Sequence, residues 1–107
     1  MKLVFEIYKL TVAFPKKEKF GLTSQLGRAA VSVPSNIAED SGRKSDKDYI
    51  RFLEMALDWS FEVETQLLIV KELGFAVEKQ LTECFSLLEE VQKMIQSFIA
   101  TIENSIK

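Results

Sequence analysis

The residues able to do acid–base, nucleophilic or metal chemistry are few in this chain, and their spacing assembles no catalytic set. There is no histidine, which removes the commonest general base and the commonest neutral metal ligand, and with them serine–histidine and cysteine–histidine catalysis. The single cysteine, Cys84, falls beside Leu81, Phe85 and Leu88 on an apolar helical face, where a cysteine reads as a small inert core residue rather than a nucleophile. Glu62 and Glu64 are two apart and point to different faces of a helix, so they cannot work together as acid and base. A di-iron bundle needs Glu followed three residues later by His, and a phosphate loop needs a glycine-rich run; neither occurs. Structural zinc draws mainly on histidine and paired cysteine, so no metal or organic cofactor is expected for folding. The expectation is a protein that is not an enzyme.

What remains is charge. The net charge of −2 hides +4 over residues 1–51 and −6 over residues 52–107, a polarity that fits an anionic partner or a contact between oppositely charged surfaces of neighbouring subunits. Lys44, Lys47 and Arg51 are three and four residues apart, along one side of a helix start. Arg43 adjoins them, and Arg28 joins the group if the second helix packs antiparallel to the third. This basic patch has two readings. It is a solvated face, with Glu54 pairing with Arg51 and Glu39 and Asp40 diluting the loop, or it is a site for the phosphate backbone of RNA or DNA, made multivalent by repetition in an oligomer.

The elements that must position these residues are helices. With 107 residues, 47% of them hydrophobic, and only 4 Gly and 2 Pro, the chain fits one domain over residues 1–107 and lacks the turn residues of a hairpin-rich sheet. Leu3, Ile7, Leu10 and Phe14 repeat at helical spacing, and Pro15 ends that first helix. After the charged connection Lys16–Lys19, Leu22, Leu26, Ala29, Ala30, Val33 and Ile37 form a second stripe that runs to about Asp40. Pro34 falls inside it and should kink it by denying the Ala30 carbonyl its donor. Ser32, Ser35 and Asn36 are placed to bond backbone groups left without partners there.

Ser45 with Asp48 three residues on reads as a helix start. The third stripe is Tyr49, Phe52, Leu53, Ala56, Ser60, Val63, Leu67 and Val70, closed by Gly74. The fourth is Leu81, Phe85, Leu88, Val91, Ile95, Phe98, Ile102 and Ile106. Short connections then give an all-α, antiparallel, up-down-up-down four-helix bundle with a proline kink in helix two. No apolar signal region opens the chain and no apolar run approaches the roughly 20 residues of a membrane span. A cytoplasmic protein without a membrane partner is expected.

Phe5, Leu57, Phe61, Leu68, Ile69, Phe75 and Ile99 fall outside the main stripes and exceed what one internal seam needs. Large apolar patches of this kind mark an interface, so the chain is expected to be an oligomer, with Trp59 its leading anchor and Phe61 a further interface residue. The alternative is that Trp59 completes the monomer core.

Phe14-Pro15, Phe20-Gly21-Leu22, Gln25-Leu26, Arg28-Ala29-Ala30, Pro34-Ser35-Asn36-Ile37-Ala38-Glu39, Gly42-Arg43, Phe52-Leu53, Ala56 and Glu62 together resemble a bacterial family. They are similar to the four-helix-bundle proteins encoded in intervening sequences of 23S ribosomal RNA genes, sometimes labelled ribosomal protein S23. The accessory variability proteins of diversity-generating retroelements use the same fold. The resemblance covers nearly the whole chain. It implies a left-handed antiparallel bundle assembled into a ring of five subunits, with no catalytic residue carried over. Its retroelement branch binds nucleic acid and a reverse transcriptase. Asp40 stands where the family usually has Gly, and Asp58-Trp59 replaces a small Gly-Ser pair. The family pattern also begins helix one about half a helix earlier, which leaves a start upstream of Met1 as an expectation. The resulting expectation is a homo-oligomeric, pentameric scaffold or adaptor with a protein partner; the alternative is a nucleic-acid-binding accessory protein of a retroelement-like system.

Overall fold

The computed structural model describes residues 1–39 and 45–106. These form four α-helices: α1 (Lys2–Thr11), α2 (Leu22–Ile37), α3 (Asp46–Leu73) and α4 (Glu78–Ile106), with a single 3₁₀ turn at Lys16–Glu18 between the first two. The packing is cyclic. α1 lies against α2 and α4, and α3 lies against α2 and α4, while neither diagonal pair comes as close. The result is a four-helix bundle elongated to 49 × 23 × 19 Å.

The level at which helices meet is set by a few named pairs. The Tyr49 hydroxyl at the start of α3 donates to the Ile37 carbonyl at the end of α2, at 3.3 Å. The Gln92 side-chain amide in α4 donates to Glu64 in α3 at 3.0 Å, and the Phe14 and Phe75 rings, just beyond α1 and α3, lie 5.9 Å apart. The first of these pairs sets the start of α3 beside the end of α2, the second joins the middle of α4 to α3, and the third brings the chain just after α1 beside the chain just after α3.

The helix boundaries have local causes. At the head of α3 the Asp48 N–H donates to Ser45 Oγ at 3.2 Å, satisfying one of the four N–H groups that a helix start leaves without partners. At its tail Gly74 adopts φ 67°, a left-handed conformation that costs other residues strain. The N–H groups of Gly74 and Phe75 donate to the carbonyls of Lys71 and Val70, the paired bonds of a Schellman stop. Ser45→Ala is therefore expected to lower stability by about 1 kcal/mol in urea unfolding followed by circular dichroism. Full retention of stability in that variant contradicts a working cap.

α2 is helical through Pro34 to Ile37. Ser32, Ser35 and Asn36 do bond backbone, but the carbonyls they take are those of Arg28, Val31 and Ser32. The Ala30 carbonyl, which Pro34 leaves without its helical donor, is not among them. These side chains reach back about one turn along their own face, and that register is fixed by their own positions rather than by the proline.

The core contains Leu3, Ile7 and Leu10 of α1, Leu26, Ala30 and Val33 of α2, Leu53, Ala56, Val63, Leu67 and Val70 of α3, and Leu81, Cys84, Leu88 and Ile95 of α4. Two stripes differ from the sequence reading. In α3 Tyr49 and Phe52 are only half-buried, while Gln66 is buried. In α4 nothing beyond Ile95 is fully buried: Ile102 is half-covered and Phe98 and Ile106 are exposed. The reason is length. α1 has 10 residues and α4 has 29, about 15 Å against about 44 Å at 1.5 Å per residue, so most of α4 runs without α1 beside it.

Candidate functional site

Three surfaces collect the residues that the sequence singled out. The first is a cleft of about 320 Å³ between α2 and α3, lined by Gln25, Arg28, Trp59, Glu62 and Gln66. Gln66 is buried and its amide nitrogen donates to Glu62 at 3.4 Å. Its carbonyl oxygen is shielded from solvent and meets no donor among the described residues. Glu62 faces this cleft, whereas Glu64 faces α4 and accepts from Gln92, so the two carboxylates are divided between opposite sides of α3. Sequence reasoning missed Gln66 as a buried group. Its positions four after Glu62 and seven after Trp59 place all three on one helical face, but spacing alone does not say that this face is covered.

Arg28 is the clearest correction. The sequence reading set it beside Lys47 and Arg51, but it shares its cleft with Trp59 and Glu62. Because Ile37 is the α2 residue that meets Tyr49, Arg28 lies opposite the middle of α3. Trp59 is eight residues beyond Arg51, about 12 Å along the axis. The basic patch therefore loses Arg28.

The second surface is what remains of that patch. Lys47 and Arg51 are exposed at the start of α3. The expected Arg51–Glu54 ion pair does not form; among the described residues the ion pairs are Lys9–Glu6 and Lys93–Glu89, and the Arg51 guanidinium lies 5.5 Å from the Phe52 ring centre. Arg43 and Lys44 lie outside the described residues, as does Asp40.

The third is apolar. Trp59 is half-buried and packs against the core, while Phe61 is exposed. Two residues apart on a helix, they point nearly opposite ways, and they do not form one joint anchor. Leu57, Phe75 and Ile99 are half-buried against the core, which accounts for three of the surplus apolar residues. Phe5, Phe61, Leu68 and Ile69 are exposed, and Met1, Tyr8, Val12, Met94 and Phe98 add to them.

Among the described residues no group of three or more His, Cys, Asp or Glu is placed to hold a metal ion. Cys84 is fully buried, and burial, with Glu6 and Glu83 nearby, pushes its thiol from 9.0 up to about 11. A thiol so shifted is a poor nucleophile near neutral pH. Among the described residues no helix is long and apolar enough to cross a membrane.

The fold defines the class, an all-helical four-helix-bundle protein. The chain belongs to the 23S rRNA-intervening sequence protein family, whose sequence profile matches residues 1–97. Among solved structures it is similar to a protein of unknown function from the S23 ribosomal protein family of Bacteroides thetaiotaomicron. The two share 25% sequence identity over 90% of this chain and 87% of that one, with a TM-score of 0.77. No curated protein resembles the chain closely enough to count as a relative.

Proposed function

We propose that the protein is a non-enzymatic scaffold or adaptor that works as an assembly of copies of itself, in the ring of five that its family resemblance implies. The observation that carries this reading is α1. In ten residues it buries Leu3, Ile7 and Leu10 and exposes Phe5 (68%) and Tyr8 (50%), with Met1 and Val12 (85%) exposed just beyond its two ends. A helix apolar on two sides is normally covered on both. Light scattering after size-exclusion chromatography is expected to give five times the chain mass of 12.2 kDa at micromolar concentration. A monomer there rejects the scaffold of copies, and an oligomer of another size rejects the ring of five.

A second reading, a nucleic-acid-binding accessory protein, is favoured by Lys47 and Arg51, exposed and without an ion-pair partner among the described residues. Repetition of this patch around an assembly converts a weak contact into a multivalent one. Changing Arg43, Lys44, Lys47 and Arg51 together to Gln is expected to weaken binding to single-stranded RNA while leaving the oligomer intact. The slope of log affinity against log salt should become shallower by about 0.7 for each phosphate that the variant no longer neutralises, read by fluorescence anisotropy. Binding unaltered by the four changes, or absent in the unaltered protein at low salt, rejects the patch.

A further inference from the structure

Among the described residues one buried side-chain acceptor meets no donor: the carbonyl oxygen of Gln66, a residue only 6% exposed. Folds normally pair such groups. Its orientation is set by Glu62, because the Gln66 amide nitrogen donates to that carboxylate at 3.4 Å and turning the amide over would set oxygen against oxygen. That bond is long for its type, so a better donor can take Glu62 from it. The same cleft of about 320 Å³ is lined by Arg28 and Glu62, both exposed, and among the described residues neither takes part in an ion pair. Opposite charges that line one cleft without meeting leave space for a ligand that is polar at both ends.

What the cleft lacks specifies the ligand. Glu62 and Gln66, one turn apart on α3, offer two neighbouring acceptors, one charged and one neutral, and each calls for an N–H donor. Once a ligand donates to Glu62, the Gln66 amide is released and can turn about its soft terminal torsion to bring its oxygen to a second donor. Trp59, three residues before Glu62 and half-buried, adds an indole on which a planar group can stack. Two common planar groups carry adjacent N–H donors: the guanine edge, with N1–H and N2–H, and the guanidinium of arginine. Adenine and cytosine set a donor beside an acceptor on that edge, and uracil sets its single N–H between two carbonyls. Arg28 decides between the two candidates, since its charge repels a guanidinium and attracts the phosphate of a nucleotide.

We propose that the cleft between α2 and α3 binds a guanine nucleotide, free or as one unit of a single RNA strand. The base stacks on Trp59, its N1–H and N2–H groups donate to Glu62 and Gln66, and Arg28 holds the phosphate. Gln25, three residues before Arg28 on the same face of α2, offers an amide donor to the guanine O6. The volume of about 320 Å³ falls at the small end of ligand pockets, roughly 300–1,000 Å³, as a single nucleotide requires. This assignment uses neither the assembly of copies nor the Lys47–Arg51 patch, and it stands or falls apart from both.

Trp59 is the only tryptophan of the chain, so its indole N–H resonance reports on this cleft. Titration of the unaltered protein with guanosine monophosphate is expected to shift that resonance to saturation. Inosine monophosphate, which lacks only the N2 amino group, is expected to bind about tenfold more weakly. Glu62→Gln and Arg28→Ala change exposed side chains, so both variants are expected to keep the helical circular dichroism and melting temperature. The first should weaken guanosine monophosphate by about tenfold or more, and the second should remove its advantage over guanosine. The five-nucleotide RNA UUGUU separates the two sources: binding tighter than the mononucleotide, with UUUUU inert, assigns the strand, and equal affinity assigns the free nucleotide. No shift with either guanosine monophosphate or UUGUU overturns the proposal, as does equally tight binding of inosine or adenosine monophosphate, or unchanged affinity in Glu62→Gln. Should Glu62→Gln lose its fold, Arg28→Ala decides, and a retained advantage of guanosine monophosphate over guanosine overturns the assignment. A shift with N-acetylarginine amide and none with guanosine monophosphate also overturns it, and makes the cleft a seat for an arginine side chain of another protein.

Discussion

Leu67→Ala is expected to lower the free energy of unfolding by roughly 2–5 kcal/mol, while Leu68→Ala, one position on, should change it by less than about 1 kcal/mol. The two side chains have the same chemistry and sit on the same helix, yet Leu67 is fully buried and Leu68 is 49% exposed. Truncating Leu67 removes three carbons from the middle of the core and leaves a cavity that the surrounding side chains can close only in part. Truncating Leu68 removes surface that water already reaches. Urea unfolding at a protein concentration low enough to dissociate any assembly measures both. Equal losses in the two variants would show that α3 is rotated from the face described above.

The second large effect is a pH dependence from Cys84. Its thiol titrates near 9.0 in an ordinary setting and is pushed up to about 11 in the fold, chiefly by burial and further by the charges of Glu6 and Glu83. Between those values the unfolded chain has released the proton while the folded chain still holds it, so rising pH favours unfolding by about 1.4 kcal/mol per pH unit in this window. Below pH 9 both states are protonated and the group contributes no slope. Tyrosines and lysines titrate in the same range, so the informative quantity is a difference. Cys84→Ala should lose a pH-independent amount from the small cavity and show a shallower fall in stability between pH 9 and 11 than the unaltered protein. Identical slopes in the two proteins would mean that the thiol is no harder to ionise in the fold than outside it. The burial that raises this value also keeps the sulfur from reagents, so native-state labelling by a disulfide reagent at pH 8 should proceed only as fast as the protein opens.

Much of the molecule was legible one helix at a time. The period of the apolar residues marked all four helices, and Ser45 and Gly74 marked the ends of α3, because capping and left-handed stops depend on residues within one turn of the boundary. Cys84 was legible as core because its neighbours at helical spacing are apolar. Gln66 was not, since a polar residue gains burial only from what packs over it: the cleft with Gln25 and Arg28 belongs to two helices and no single-helix pattern contains it. The polar residues around Pro34 were assigned to the wrong carbonyls because proline identifies the orphaned group but does not steer its neighbours' side chains.

By itself the sequence determined that this is an all-helical chain with long helices, no histidine chemistry, an inert cysteine, and more apolar surface than one seam requires. Only the tertiary structure decided where along their lengths the helices meet. That offset separates Arg28 from Lys47 and Arg51 and places it opposite Trp59. The physical reason is that periodicity specifies which face of a helix is buried but says nothing about its level against a neighbour. That level comes from the connections, from the unequal lengths of α1 and α4, and from pairs such as Tyr49 with Ile37 and Gln92 with Glu64. The same inequality of length decides that the apolar stripe of α4 outlasts its own core, leaving Phe98 and Ile106 in the open.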